Sequence, residues 1–479
     1  MVEHFKDLTK KEVAGIQKFA ASPFLNSNKQ VTKLITFLSA LHPYLQEGLP
    51  DRKSIYNAVF DTEKIDEINY RKLISDFTRV FENFLIYNKL EKETVRNKIK
   101  LLNSLRLMGI RKRFMSNYKE AAAIQKKIKI KDNTYYEDQI ELLTEFYYFN
   151  YDKLRNVHSE CLQDKSDNID MEFVFHKLHM YLEMIFNEYM NNKSITYKKT
   201  FYNEVINYVR MNEKNIMKHH PGIYLIYNIV LLWKTSDDKF IKIFLDYLES
   251  QTKIFPIKKL KYYFYYILTY LSVKINAGEV KYREVNMQIF KRMLAKDIFL
   301  IDNIITHSDF NSVVNIALPA KEYDWLKKFM EKYKNNIEPE FQKDAYNLAM
   351  AKFYFHKKEF QKVYPFLNEV QYKDSGYYLN SKFLLARLYY EMRKDDPLEY
   401  VLQNLRQYLR EKKNISGDYL SISKTFVKYI TALLKITETD KKKAKQEIHI
   451  LRKELDNEKK LVPNKIWFYE KTDELSKSL

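Results

Sequence analysis

The chain has 479 residues, a mass of 58.1 kDa and a formal net charge of +20, from 82 Lys and Arg against 62 Asp and Glu. Its seven glycines and ten prolines exclude collagen-like, linker-like and turn-rich all-β chains; with Gly15 and Gly48 the closest pair, 33 residues apart, glycine-clustered phosphate loops and nucleophile elbows are excluded too. The charge favours an anionic partner (nucleic acid, an acidic protein or an anionic membrane), although an A- and T-rich coding sequence, which also enriches the 39 Tyr, is the simpler account.

Apolar residues recur near every 3.6 positions along nearly the whole chain, without persuasive two-residue alternation, so the expected fold class is all-α. The expected architecture is an α-solenoid of antiparallel helix hairpins, with helices of roughly 12 to 20 residues and short loops. Short polar clusters at 22–28, 132–133, 164–170, 221–222, 276–278, 374–376 and 414–418 read as the breaks between helices.

Residues 1–90 read as an N-terminal helical bundle, with helices over 10–21, 29–41, 52–60 and 67–89. A short helix, a turn and a longer helix also fit a helix-turn-helix-like unit. Ala58, Val59 and Phe60, followed by Tyr70, Leu73, Phe77 and Val80, are weakly similar to the last two helices of a winged domain, which some bacterial activators join to helical repeats. No β-wing follows residue 85, so a bundle capping the array is the plainer reading.

Residues 91–300 read as an irregular array of helical hairpins with a basic first segment. Between Lys89 and Lys131 there are 14 Lys and Arg against three Asp and Glu, more than half of the chain's net charge. Apolar residues at 101, 102, 105, 108 and 110 predict that one face still packs. A basic helical face of this density holds phosphates by charge neutralisation without reading sequence. The candidate residues are Lys98, Lys100, Arg106, Arg111, Lys112, Arg113, Lys126, Lys127 and Lys129; the alternative is a solvated face balanced by acidic groups elsewhere. Further helices are expected over 135–151, 171–191, 200–210, 221–233, 238–248, 258–275 and 282–294. The aromatic runs TEFYYFNYDKL and KLKYYFYYILTYL are expected to pack between helices rather than stack on bases.

Residues 301–415 carry a repeat signal. Ala351, Tyr354, Phe360, Val363, Leu367 and Val370 resemble the small, aromatic and apolar positions of a tetratricopeptide repeat (TPR), where a small residue lets two helices approach and an aromatic fills the groove beside it. Ala386 and Tyr389 repeat the first two positions; Val314, Ala317, Tyr323, Leu326 and Met330 echo the pattern upstream. Three TPR-like hairpins are expected between about 310 and 412. Residues 416–479 read as C-terminal capping helices, with Ala444, Ile448, Leu451 and Leu455 forming a narrow apolar stripe and Trp467, Phe468 and Tyr469 packing beyond it.

No constellation for catalysis, a cofactor or a metal is expected. His176, His179 and Glu183 share a helix face, but the spacing arises easily by chance. His219 and His220 point in different directions. Cys161 follows His158 and Glu160 without the arrangement of a triad, and the pairs Asp237-Asp238 and Asp395-Asp396 fit helix starts. A single cysteine excludes an intrachain disulfide and points to a reducing compartment. The amphipathic start lacks a secretory apolar core, and the longest apolar runs, 223–233 and 262–273, are about half a membrane span. A cytoplasmic protein without a membrane span is expected.

Three stretches, KKEVAGIQKFAASPFLNSNKQVTKLITFL, NYRKLISDFTRVFENFLIYNKLE and FNSVVNIALPAKEYDWLKKFMEKY, resemble a family of helical-repeat proteins found in Bacteroidetes-type bacteria. The resemblance implies the architecture and no activity. The leading expectation is therefore a non-catalytic interaction scaffold that holds an unidentified protein partner on its concave face. The alternative is a nucleic-acid-binding regulator using the 89–131 segment and a helix-turn-helix-like N-terminus.

Overall fold

The computed structural model describes residues 2–45, 48–151, 159–190, 195–251, 255–276, 279–301, 303–370, 375–411, 417–458 and 462–478. Among them the regular structure is helical, apart from isolated bridges joining Ile301 to Ile304 and Ile305 to Ile337. The chain divides into two units, Met1–Phe175 and His176–Leu479.

In the first unit, side-chain caps set the starts of the first four α-helices. Thr9 and Glu12 form a reciprocal capping box at the start of α1 (Lys10–Ala21). Asn28 caps α2 (Lys29–Leu41), Asp51 caps α3 (Arg52–Phe60) and Asp66 caps α4 (Glu67–Lys92). Their apolar faces meet in one cluster that includes Phe5, Ile16, Val31, Leu34, Leu38, Phe77 and Phe81. Gly15 lets α1 approach α4: a Cβ there would lie 3.2 Å from the Phe84 ring. Then α5 (Thr94–Leu107), α6 (Arg111–Lys127) and α7 (Asn133–Phe149) pack mutually. Their core holds Ile99, Leu102, Phe114, Ala121 and Leu142, with Phe114 stacked on Phe149 at 3.8 Å between ring centroids.

The division between units falls inside α8 (Ser159–Met190). This helix corrects the break expected at 164–170, which lies within it. The cluster contains no Gly or Pro, and its polar groups are satisfied one turn away: Gln163 donates to Asp167 and Asn168 donates to the Asp164 carbonyl, each at 2.7 Å. Helix lengths also run past expectation, to 26 residues in α4 and 32 in α8.

In the second unit, α9 (Tyr202–Met211), α10 (Glu213–His219) and α11 (Pro221–Thr235) pack together, and α12 (Lys239–Gln251), α13 (Ile257–Asn276) and α14 (Tyr282–Ala295) follow. The short α10 was not anticipated. The aromatic runs pack only in part: Tyr263, Phe264, Tyr266 and Tyr270 are buried, Tyr270 lying edge-on to the buried Trp233, and Phe146 and Phe149 pack on the α5–α7 core, whereas Tyr148, Tyr151 and Tyr265 are exposed. Next come α15 (His307–Ala317), α16 (Tyr323–Tyr333), α17 (Gln342–His356), α18 (Val363–Asn368), α19 (Ser375–Glu391) and α20 (Asp395–Glu411). Here α15 packs on α16, α17 on α18 and α19 on α20, with Val314, Ala317, Ala351, Val363 and Ala386 fully buried. The second hairpin departs from a strict repeat, because α18 has only six residues. The chain ends with α21 (Gly417–Thr437), α22 (Lys441–Asn457) and α23 (Lys465–Ser478). Ala444, Ile448, Leu451, Leu455, Trp467 and Phe468 are buried in the terminal cluster, where the sequence put them.

Main packing in the second unit is sequential. Alternate helices also meet: α11 with α13, α15 with α17, α17 with α19, α19 with α21 and α21 with α23.

Candidate anion-binding surfaces

The α5–α6 hairpin turns through a Schellman geometry. Gly109 adopts φ +70°, its N–H donates to the Arg106 carbonyl at 3.1 Å, and the Ile110 N–H donates to the Leu105 carbonyl at 2.9 Å. The turn sets the direction of the side chains around it. Leu102 and Leu105 face the core, whereas Leu101, Leu107, Met108 and Ile110 are exposed, Leu107 and Met108 each at 72%. This corrects the expectation that 101, 108 and 110 lie on the packed face. Leu101 sits a third of a turn from Leu102, and 108 and 110 lie past the helix end.

The nine candidate cations separate into three groups and the single Lys100. Lys98 and Arg106 are neutralised: Lys98 pairs with Glu120 at 2.5 Å, and Arg106 pairs with the buried Glu145 at 2.7 Å. The Glu145 hydrogen bond raises the Arg106 guanidinium further above its ordinary value. The neighbouring Arg96 is held in the same way by Asp138, at 2.9 Å, and by Glu137. Burial pushes Asp138 up, and Arg96 offsets this only in part. Arg111, Lys112 and Arg113 form the first turn of α6, exposed, with the Arg111 guanidinium 5.8 Å from the centre of the Phe149 ring. Lys126 and Lys127 close α6, and Lys129 lies just beyond. Helix rise puts Lys126 roughly 21 Å from Lys112. Lys100 is exposed on α5. Among the described residues, Lys100, Arg111, Lys112, Arg113, Lys126, Lys127 and Lys129 form no ion pair. Lys112, Lys119 and Lys126, spaced by seven residues, share one exposed face of α6 at intervals of about 10 Å.

Other residues singled out by sequence have structural partners. The His179 Nε2 lies 2.8 Å from the Tyr262 hydroxyl and its Nδ1 lies 3.4 Å from Glu183, so both ring nitrogens are engaged. Burial lowers its pKa. Cys161 is buried, its thiol donates to the Leu143 carbonyl at 3.6 Å, and burial pushes its pKa up, away from a nucleophilic thiolate. His158 lies outside the described residues. Asp237 accepts the Lys239 N–H at the start of α12, and Asp238 binds Lys281 and Tyr282 at the start of α14. Asp395 and Asp396 occupy the first turn of α20.

One feature escaped the sequence reading. Between α20 and α21 lies an open cleft lined by Arg406, Leu409, Arg410, Lys424 and Val427. It sets the exposed Arg406, Arg410 and Lys424 beside Leu409 and Val427, which are buried in the terminal cluster. The i, i+4 spacing of Arg406 and Arg410 is visible in the sequence; their juxtaposition with Lys424 across the hairpin is not.

Comparison of the chain with family models, curated proteins and solved structures finds no match.

Proposed function

We propose that the chain is a non-catalytic cytoplasmic interaction scaffold, an α-solenoid that is TPR-like in its C-terminal third and holds an acidic segment of a protein partner. The observation that carries this reading is the mainly sequential packing of His176–Leu479, in which most helices meet the next and several the next but one. Contacts made chiefly between neighbours are the mark of a repeat array, and such arrays work by presenting extended surfaces. A repeated turn adds support: Lys321, Lys358 and Arg393, 37 and 35 residues apart, each take a left-handed conformation between the helices of successive hairpins. The resemblance to Bacteroidetes-type helical-repeat proteins belongs to the same proposal.

The cleft between α20 and α21 gives the partner its chemistry. Arg406, Arg410 and Lys424, all exposed around it, attract carboxylates. The test is a pull-down of the tagged chain from native lysate, with and without nuclease, quantified by mass spectrometry for the wild type and for Arg406→Glu/Arg410→Glu. A discrete protein that survives nuclease and is depleted about tenfold by the double variant is expected. Partners that vanish with nuclease would sink the scaffold reading. They would favour the second reading, a nucleic-acid-binding regulator, which is supported by the unpaired row of Lys112, Lys119 and Lys126.

A further inference from the structure

The geometry points to a membrane-docking site at the tip of the α5–α6 hairpin, where Leu107, Met108 and Ile110 enter the headgroup boundary of an anionic bilayer and Arg111, Lys112 and Arg113 bind its lipid phosphates. This goes beyond the scaffold reading and does not depend on it.

Three observations meet at this end of the α5–α7 bundle. The first is the pair of exposed apolar side chains on a rigid turn. Leu107 and Met108 are each 72% exposed, while the backbone between Ser104 and Arg111 is closed by its own hydrogen bonds. The turn is held by Gly109 and by those bonds, so neither side chain is needed to fold it.

The second is charge placed against local preference. Three cations fill the first turn of α6, where the helix dipole disfavours them, and Ile110 provides no side-chain cap. No acidic residue occurs from Thr94 to Lys119. Such a local conflict marks a surface shaped for binding rather than for stability.

The third is aromatic. The C-terminal end of α7 reaches the same place, because Arg106 lies over Tyr148 at 5.6 Å and Arg111 over Phe149 at 5.8 Å. Tyr148 and Tyr151 are both more than half exposed there. Tyrosines belong at headgroup level, cations at lipid phosphates and Leu or Met just beneath them. A contact with the phosphate backbone of a nucleic acid rewards the cations alone, since it gives exposed Leu and Met nothing to bury.

The experiment is co-sedimentation of the full chain with vesicles of phosphatidylcholine, alone or with about 30 mol% phosphatidylserine, with a labelled DNA duplex as a parallel probe. The variants are Leu107→Ser/Met108→Ser, Arg111→Glu/Lys112→Glu/Arg113→Glu and, at the far end of α6, Lys126→Glu/Lys127→Glu. Circular dichroism checks that each keeps its helix content. Binding to the anionic vesicles alone is expected, with the first two variants each lowering partitioning about tenfold and the far-end variant changing it less than threefold. Equal binding to neutral vesicles, no binding to vesicles, or binding unchanged by Leu107→Ser/Met108→Ser would each overturn the proposal. Duplex binding indifferent to Leu107→Ser/Met108→Ser, without vesicle binding, would assign the tip to nucleic acid. The readout involves neither the α20–α21 cleft nor a protein partner, so its failure is distinct from failure of the scaffold reading.

Discussion

His356 ends α17 in a cationic neighbourhood. Lys352 lies one turn earlier on the same helix, and Arg387 approaches from α19. The Arg387 guanidinium sits 4.4 Å from the Phe355 ring centre and 5.2 Å from that of Trp467, and it donates to Asn464 at 2.7 Å. Lys352 donates to Asn315 at 2.9 Å. Burial first, then the charges of Arg387 and Lys352, lower His356 to about 3, and burial with Arg387 lowers Lys352 to about 8. Above pH 6.5 the imidazole is neutral folded or unfolded and contributes no pH dependence. Between pH 6.5 and 3 the unfolded chain takes up the proton first, so stability drops as the pH is lowered, by at most ~1.4 kcal/mol per unit. Lys352 acts in another window: from pH 8 to 10.5 the folded state releases its proton first, and stability rises with pH. His356→Gln should therefore lose about 1 to 3 kcal/mol less than the wild type between pH 7 and pH 4, measured by denaturant unfolding. Equal losses in the two proteins would refute this account. Little of this cluster was legible in the sequence, because its members come from separate helices.

At the scale of elements, stops differ from starts. Thr9, Asn28, Asp51 and Asp66 are side-chain caps that a sequence displays, and the expected starts at 10, 29, 52 and 67 agree with α1 to α4. Several stops rely on left-handed residues that are not glycine. After α15, α17 and α19 the same pair of hydrogen bonds recurs: Lys321, Lys358 and Arg393 donate three residues back, and the residues after them donate five back. Each of the three holds φ between 55° and 60°, at a cost of about 1 kcal/mol for a residue with a Cβ. Lys321→Gly, Lys358→Gly and Arg393→Gly should each stabilise the protein by about 0.5 to 1 kcal/mol, read from the denaturant midpoint. A loss of stability in all three would show that the side chains, not the backbone, hold these turns. The basic segment shows the matching limit on the site. Its charge is plain in the sequence, but the acids that neutralise Arg96 and Arg106 sit about 40 residues away, on α7. Which cations stay free is decided by packing.

For the whole molecule, the helical class was legible because one periodicity dominates the chain, as were the neighbour pairings of α15 with α16, α17 with α18 and α19 with α20, whereas the contacts between alternate helices were not, since they depend on which apolar faces meet. In the second unit the packing links neighbours along the sequence, from α9 and α11 to α21 and α23. A chain held together this way transmits a local loss of core over only a few helices, because few contacts join distant ones. Leu433 is fully buried in the terminal cluster with Phe426, Ile430, Leu451 and Phe468. Leu433→Ala removes about 2 to 5 kcal/mol of packing there. Hydrogen exchange should then accelerate across α20 to α23 and stay at wild-type rates in α9 to α11, at the opposite end of the same unit. Equal acceleration in α9 to α11 would mean that the unit unfolds as one cooperative body, and the repeat-array reading would have to be given up.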